Sequence, residues 1–98
     1  MAEARRRVFV ERVKESFGGA DILMSATVPS VPPAVGTYDR PDDPGGAFRS
    51  AAYLGSLTAA FNLTQGPAAS LPLGLSRSGL PYGVQLGAHP GQDHVVLA

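Results

Sequence analysis

Lys14 and Ser70 have the residue types that acyl-transfer chemistry requires, a base and a hydroxyl nucleophile. Lys14 is the only lysine of the 98-residue chain, and it stands among charged residues of a helical pattern, which indicates a solvated face. Ser70 follows two alanines and lacks the G-x-S-x-G context that exposes a nucleophile. A structural hydrogen bond is therefore expected for its hydroxyl, and the chain by itself predicts no catalytic residue.

His89, Asp93 and His94 are the side chains that could ligate a metal or form a proton-transfer dyad. Pro90 and Gly91 separate them and prevent helical i, i+4 geometry, and no third ligand cluster of recognisable spacing is present. Surface histidines are the expectation, with no metal and no other cofactor. No G-x-G-x-x-G or P-loop pattern offers a phosphate site.

The first elements that would position these residues are a helix and a strand. Apolar residues recur at helical spacing before a glycine pair, which predicts an amphipathic helix over residues 2–17. Residues 5–7 are three arginines near its positively polarised start, so we expect a solvated or frayed first turn. The apolar run at residues 21–24 predicts a buried strand, and a helix followed by such a strand indicates an α/β layer.

Residues 30–46 are so rich in proline, glycine and aspartate that they predict a long surface loop without helix or central strand. Such a loop in a small domain is expected to be functional or to pack against something absent. After it, apolar residues at i, i+3, i+4 and i+7 predict a second helix over residues 47–61. A short third helix is expected near His94, with Asp93 as its cap.

Two strands and a turn predict a β-hairpin. Residues 68–75 read as a strand, and residues 82–88 alternate as a half-buried strand does, with Tyr82, Val84 and Leu86 on one side. Residues 76–79 supply the turn. Pro72 cannot donate a ladder hydrogen bond, so its strand must lie at an edge or break locally.

Composition narrows the partners and the compartment. Eight basic and eight acidic residues give zero formal charge, and three adjacent arginines are too few to predict nucleic-acid binding. No apolar run reaches the roughly 20 residues of a membrane span. The absence of cysteine excludes disulfides and fits a reducing compartment. We therefore expect a cytoplasmic chain that binds neither nucleic acid nor membrane.

The order of several short motifs resembles the closing segment of amidase signature hydrolases. That segment has a buried strand leading to a Pro-Thr-x-Pro-like loop, an Asn-Leu run after a helix, a Ser-x-Pro-x-Gly strand and a Gly-Leu-Pro-x-Gly-x-Gln strand. The matching positions are residues 21–29, with Ala26 where proline is commoner, and Thr58, Phe61, Asn62, Leu63, Pro67, Ala68, Ser70, Pro72, Gly74, Gly79, Leu80, Pro81, Gly83 and Gln85. The resemblance covers almost the whole chain.

The resemblance implies the C-terminal portion of an α/β/α fold, a mixed sheet flanked by helices, as a single partial domain over residues 1–98. In that family two serines and a lysine cleave carboxamides through an acyl-enzyme, and these residues have no counterpart here. It also implies that Thr58, Phe61 and Asn62 could line the acyl side of a pocket in a complete enzyme. The alternatives are core packing for Phe61 and capping for Asn62 and Thr64.

The chain departs from the family pattern after its Asn-Leu-Thr. Glycine usually follows directly there, whereas Gln65 precedes Gly66 here, so a side chain stands where the backbone often needs freedom of φ and the turn is expected to be perturbed. The A subunit of the glutamyl-tRNA amidotransferases tends to carry an acidic residue near Gly55 and Ser56. Its absence favours a general amidase.

Three hypotheses follow for the chain. It is the closing segment of an amidase, inactive alone and acting on an amide substrate only in a complete enzyme. Alternatively, it is a non-catalytic module that completes a separately encoded N-terminal amidase portion, or an unstable remnant, since 98 residues bury only about 60–65% of their unfolded surface. Upstream coding sequence for a Gly/Ser-rich core would separate the first two, and cooperative thermal unfolding would argue against the third.

Overall fold

A computed structural model describes residues 2–98 as a three-stranded sheet with four helices. The helices are α1 (Ala2–Ser16), α2 (Pro44–Leu54), α3 (Ala59–Thr64) and α4 (Asp93–Leu97), and the strands are β1 (Leu23–Ala26), β2 (Ala68–Leu75) and β3 (Pro81–Gly87). Central β3 runs antiparallel to β1 on one side and to β2 on the other. The α/β class is confirmed, and four helices stand where the sequence predicts two helices and a short third one near His94.

Helix α1 forms in the predicted region and ends at Ser16, just before the glycine pair, where Gly18 and Gly19 have φ angles of 54° and 88°, but none of its residues is buried. Its first turn is exposed but helical instead of frayed, because the Glu3 carboxylate accepts a 2.8 Å hydrogen bond from Arg6 and places negative charge at the helix start. That hydrogen bond lowers the pKa of Glu3. Arg6 also donates to the Leu63 carbonyl at 3.2 Å, which ties α1 to the last turn of α3.

Two elements differ from their predicted positions. Strand β1 lies two residues later than 21–24 and is not the buried strand predicted, because its side chains alternate between a half-buried and an exposed face of the sheet. The helix predicted over residues 47–61 is instead the pair α2 and α3, interrupted at Gly55. Glycine and serine are weak helix formers, and the Thr58 hydroxyl donates to the Gly55 carbonyl at 3.0 Å, which stabilises a turn there.

The Pro/Gly-rich loop ends at Asp43 instead of residue 46, since α2 begins at Pro44. The Asp43 carboxylate accepts a 3.0 Å hydrogen bond from the Gly46 backbone N–H, and proline suits the first turn, where no helical N–H bond is needed. Helix α4 begins one residue before its predicted start. Asp93 lies in its first turn, and Gln92 takes the cap position without a side-chain bond.

Strands β2 and β3 form the predicted hairpin. The Ser76 N–H donates to the Leu80 carbonyl at 2.7 Å, and Gly79 has a φ of 84° in the turn. Pro72 has both consequences expected of its missing N–H. It lies on an edge strand, and the pairing register shifts between Pro72 and Gly74.

The molecule is a thin slab of 44 × 39 × 18 Å. Its buried apolar residues are Phe17, Ala47, Phe61 and Ala88. The accessible surface is 6970 Å², against about 5300 Å² for a compact monomer of this mass. The radius of gyration is 15.7 Å, against about 12.6 Å for a compact domain of this length. Much apolar surface is therefore left uncovered by residues 2–98.

Candidate functional site

Lys14 and Ser70 both have structural partners. The Lys14 ammonium lies on the exposed side of α1, 3.5 Å from the Glu11 carboxylate. The Ser70 hydroxyl shares a 2.7 Å hydrogen bond with the Thr27 hydroxyl, as expected for a structural serine. The hydrogen bonds within residues 2–98 give Ser70 no basic partner, so this hydroxyl lacks the activation that a nucleophile needs.

The two bonded hydroxyls meet across β3 at Gly83. The Thr27 N–H donates to the Gly83 carbonyl at 3.2 Å, and a Cβ at position 83 would stand 3.1 Å from the Ser70 Oγ and 2.9 Å from the Leu71 carbonyl. Glycine therefore permits the approach of the two hydroxyls. A shallow cleft of about 320 Å³ adjoins them, lined also by Val28, Leu71, Pro72, Pro81 and Tyr82.

Gln85 is the only buried polar side chain among residues 2–98, with 4% of its surface exposed. Its Nε2 donates to the Ser25 hydroxyl of β1 at 3.2 Å and to the Leu57 carbonyl of the α2–α3 connection at 3.0 Å. Both amide hydrogens are thus used, and three elements are joined. The alternation in the sequence suggested the side of β3 with Val84 and Leu86 as its packed side, but the side with Gln85 is more buried. The sequence signal for this packed side was the pair Gly83 and Gly87, which lie two positions before and after Gln85 on the same side of the strand.

The three residues expected to line a pocket lie at the start and in the middle of α3. Thr58 holds the N-cap position, and its hydroxyl is bonded to the carbonyl of Gly55. Phe61 is 7% exposed, and its ring covers Gly87, where a Cβ would overlap it. Asn62 is exposed, one turn after Thr58. Thr58 and Asn62 therefore share one side of the helix, while the Phe61 ring faces the sheet.

Gln65 has φ 63° and ψ 23° and is the only residue other than glycine with a positive φ in the described chain. The prediction that its side chain stands where glycine's freedom is needed is confirmed. Gly66 has its own requirement, because a Cβ there would overlap the Ala88 carbonyl. The Gly66 N–H donates to the Thr64 hydroxyl at 3.3 Å. This is the local capping role that the sequence analysis gives as an alternative for Thr64. Positions 65 and 66 thus both favour glycine, and only position 66 has it.

We expect Gln65→Gly to raise the free energy of unfolding by about 0.5–1 kcal/mol. The left-handed conformation costs a residue with a side chain about 1–2 kcal/mol, and the greater chain entropy of glycine offsets part of the gain. The urea midpoint measures the change. Gly66→Ala is the contrasting variant and should lower the midpoint. An unchanged or lower midpoint for Gln65→Gly would mean that the turn is unstrained.

The two histidines differ in their surroundings. His89 is half-buried, with its ring centroid 4.0 Å from that of Phe17, so it is not the surface residue expected. His94 is exposed in α4, as expected. Over residues 2–98, no three or more His, Cys, Asp or Glu side chains form a group that could hold a metal ion. None of the helices in that range is both long and apolar enough to cross a membrane.

Comparison with known proteins identifies relatives of one family. The family model Amidase matches residues 1–97. The A subunit of the glutamyl-tRNA(Gln) amidotransferase of Chlorobium phaeobacteroides is 35% identical over 85 residues, which are 87% of this chain and 17% of that protein. A Mycobacterium tuberculosis protein that carries the name amidase AmiC is 34% identical over 97 residues, which are 99% of this chain and 20% of that protein.

Two solved structures share the fold. The A subunit of the Thermotoga maritima glutamyl-tRNA(Gln) amidotransferase superposes with a TM-score of 0.76 and 26% identity, over 93% of this chain and 18% of its own. A 6-aminohexanoate cyclic dimer hydrolase superposes with a TM-score of 0.74 and 26% identity, over 93% of this chain and 20% of its own. The chain thus spans about a fifth of the length of these relatives. The family match over residues 1–97 shows that the chain belongs to the amidase family, as its closing motifs predicted.

Proposed function

We propose that this chain is the C-terminal segment of an amidase-type hydrolase that cleaves carboxamide C–N bonds through a serine acyl-enzyme in the full-length protein. The observation that carries the proposal is the family match over residues 1–97, together with a coverage of only 17–20% of the relatives' lengths. In this proposal the nucleophile and base belong to the remainder of the protein, because Lys14 is paired with Glu11 and Ser70 with Thr27. The chain alone is then inactive.

The contribution proposed for this segment is a wall of the substrate pocket. Helix α3 is held on the sheet by the Phe61 ring over Gly87, which gives it a fixed position. We propose that Thr58, Phe61 and Asn62 line the acyl side, where an apolar surface with a few polar groups would orient the substrate. The exposed amide of Asn62 is the group most able to bond a ligand. Attack by the serine of the other portion would release ammonia or an amine, and water would then free the carboxylate.

Substrate choice is proposed to depend on the other portion and on the loop at residues 30–46. The loop and α2 border an open cleft of about 340 Å³, where the Phe48 side chain is 75% exposed. Relatives of both the amidotransferase and the general amidase kind match at nearly equal identity. The α2–α3 break carries Gly55 and Ser56 and no acidic residue, which supports a general amidase. A cytoplasmic location, which a chain without cysteine fits, is part of the proposal.

The test is an ammonia-release assay on small aliphatic and aromatic amides. The chain is assayed alone and co-expressed with the A subunit of the Thermotoga maritima amidotransferase from which the C-terminal part matched by this chain has been removed. We expect no release by either polypeptide alone and release by the pair. Turnover by the chain alone would contradict the proposal that its chemistry lies elsewhere, and a silent complex would contradict the amidase function.

A second candidate, a non-catalytic module that completes a separately encoded amidase portion, is favoured by the large exposed surface of the slab. It differs from the first in where the amidase portion is encoded, since the first hypothesis requires coding sequence for a Gly/Ser-rich core directly upstream of this chain. An unstable remnant, the third hypothesis, would unfold without cooperativity in a thermal melt of the isolated chain.

A further inference from the structure

One side of β3 carries three successive positions that are covered differently. Gly83, Gln85 and Gly87 face the same side of the sheet, because side chains alternate along a strand. The Phe61 ring covers Gly87, and the Gln85 amide bonds the Leu57 carbonyl just before α3 begins. At Gly83 the nearest atoms belong instead to β2 and to the residue after β1, and the cleft of about 320 Å³ begins there. The cleft therefore continues the side of the sheet that α3 covers.

The Thr27 and Ser70 hydroxyls beside this cleft have one proton more than their shared hydrogen bond uses. The two oxygens are 2.7 Å apart, and either can be the donor. Each hydroxyl has one proton, so the one that accepts keeps a proton for which the hydrogen bonds of residues 2–98 supply no acceptor. An unused donor is rarer in proteins than an unused lone pair. The pair thus presents one O–H donor to a ligand in the cleft.

The remainder of the cleft is uncharged. Its other lining residues are Val28, Leu71, Pro72, Pro81 and Tyr82, none of which is ionised at neutral pH. Tyr82 alternates to the opposite side of β3, where its phenol lies against Gly74, its partner in β2. A carboxylate would therefore find no cation among the lining residues. The cleft suits an apolar chain that carries one neutral hydrogen-bond acceptor.

We propose that the substrate is an amide whose acyl chain carries an uncharged acceptor, such as a ketone, ester or ether oxygen, and that the Thr27–Ser70 pair donates to this oxygen. This inference rests on the proposed function, which supplies the amide and the nucleophile. Thr58, proposed to line the acyl side, directly follows Leu57, whose carbonyl is bonded to Gln85. Gln85 lies about 7 Å along β3 from Gly83. The acyl chain would extend from the start of α3 along the sheet to the hydroxyl pair.

Matched amides test the assignment. The ketones 4-oxopentanamide, 5-oxohexanamide and 6-oxoheptanamide place the acceptor at three distances from the amide, and in each control a C=CH₂ group replaces the ketone C=O. Ammonia release is measured with the chain co-expressed with the truncated Thermotoga maritima protein. One neutral hydrogen bond changes affinity by roughly two- to twelvefold, so for at least one length we expect kcat/KM of the ketone to exceed that of its control about three- to tenfold, mainly through KM. Equal kcat/KM within all three pairs would overturn the proposal.

Removal of both hydroxyls should remove the preference for the ketone. Thr27→Val combined with Ser70→Ala eliminates both O–H groups and keeps the Thr27 backbone N–H that bonds the Gly83 carbonyl. Thr27→Ser is the matched control, since it retains both hydroxyls. We expect the ratio of the two kcat/KM values to fall to about one in the double variant and to stay unchanged in Thr27→Ser. Because both amides are compared in one preparation, a loss of folding or assembly cancels from the ratio. A preference that survives in the double variant would contradict the assignment.

Binding measurements separate this proposal from the proposed function. Each ketone and its control are titrated into the isolated chain and into the complex, and the NMR shift of the Gly83 amide gives Kd. We expect at least a threefold lower Kd for the preferred ketone, and equal values in the double variant. Such selectivity without ammonia release supports the cleft assignment and contradicts the amidase function. Ammonia release without selectivity in either titration or in kcat/KM supports the function and overturns the cleft assignment.

Discussion

Gly87→Ala is expected to lower the free energy of unfolding by about 3 kcal/mol, at the upper end of the range for overpacked interiors. A Cβ at this buried position would overlap the Phe61 ring, which is itself 7% exposed. The ring has little room to move, because it is one of only four buried apolar residues in the described chain and the six-residue α3 depends on it. The change is measured by urea unfolding of the two chains.

Two further variants make the reading specific. In Phe61→Leu the smaller side chain leaves room for a methyl group, so adding Gly87→Ala to it should cost much less than in the natural chain. Gly45→Ala is the matched control, since its Cβ would meet only the Arg49 guanidinium at 3.5 Å and alanine favours the helix. If Gly87→Ala were as stable as the natural chain, α3 could not pack on β3 as described.

Gln85→Glu should destabilise the chain by about 3 kcal/mol at pH 7, although the side chain keeps its size. The amide donates to Ser25 and to the Leu57 carbonyl in a site that is 4% exposed. The Ser25 hydroxyl can turn to donate to a carboxylate. The Leu57 carbonyl cannot, so two oxygen acceptors would face each other, one of them charged. Thermal or urea unfolding at pH 7 measures the loss.

The loss should depend on pH in a defined direction. Burial beside a carbonyl raises the folded-state pKa of the introduced carboxyl above its unfolded value near 4.3. The cost is therefore complete above the folded-state pKa and decreases as the pH falls toward about 4, where a protonated carboxyl can donate to Leu57 again. Gln85→Leu, which has no proton to gain, should keep a constant deficit relative to the natural chain measured at the same pH. A deficit that is equally constant for Gln85→Glu would contradict the buried donor role.

The hairpin was predictable from sequence because its determinants are local. Gly79 provides the turn conformation, and Pro72 requires an edge position and tolerates the register shift. The strained turn at Gln65 was predictable for the same reason. Each is a constraint that one residue places on its own backbone, and such constraints also made the family recognisable.

The break between α2 and α3 was not predictable, because the apolar spacing across it satisfies a helix of 3.6 residues per turn. The Leu57 carbonyl, which a continuous helix would use, instead accepts from Gln85, 28 residues later. The position of β1 had the same difficulty. A short apolar run has the same pattern in a central strand and in an edge strand. The exact residues of β1 are set by its pairing with β3, which the sequence pattern does not contain. Core packing was among the alternatives for Phe61. Its contact with Gly87 could not be predicted, because no local sequence pattern relates two residues so far apart in the chain.

The 18 Å thickness of the slab affects how the chain responds to heat. An unfolded chain of this mass exposes about 14,600 Å², so folding to 6970 Å² removes about 7600 Å² from water, where a compact fold would remove about 9300 Å². The heat-capacity increment and the denaturant slope scale with that area, so both should be about a fifth smaller than for a compact domain. Stability then varies weakly with temperature and the transition is broad. Under the proposed function, a sharp transition is expected only when the remainder of the amidase covers the open surfaces.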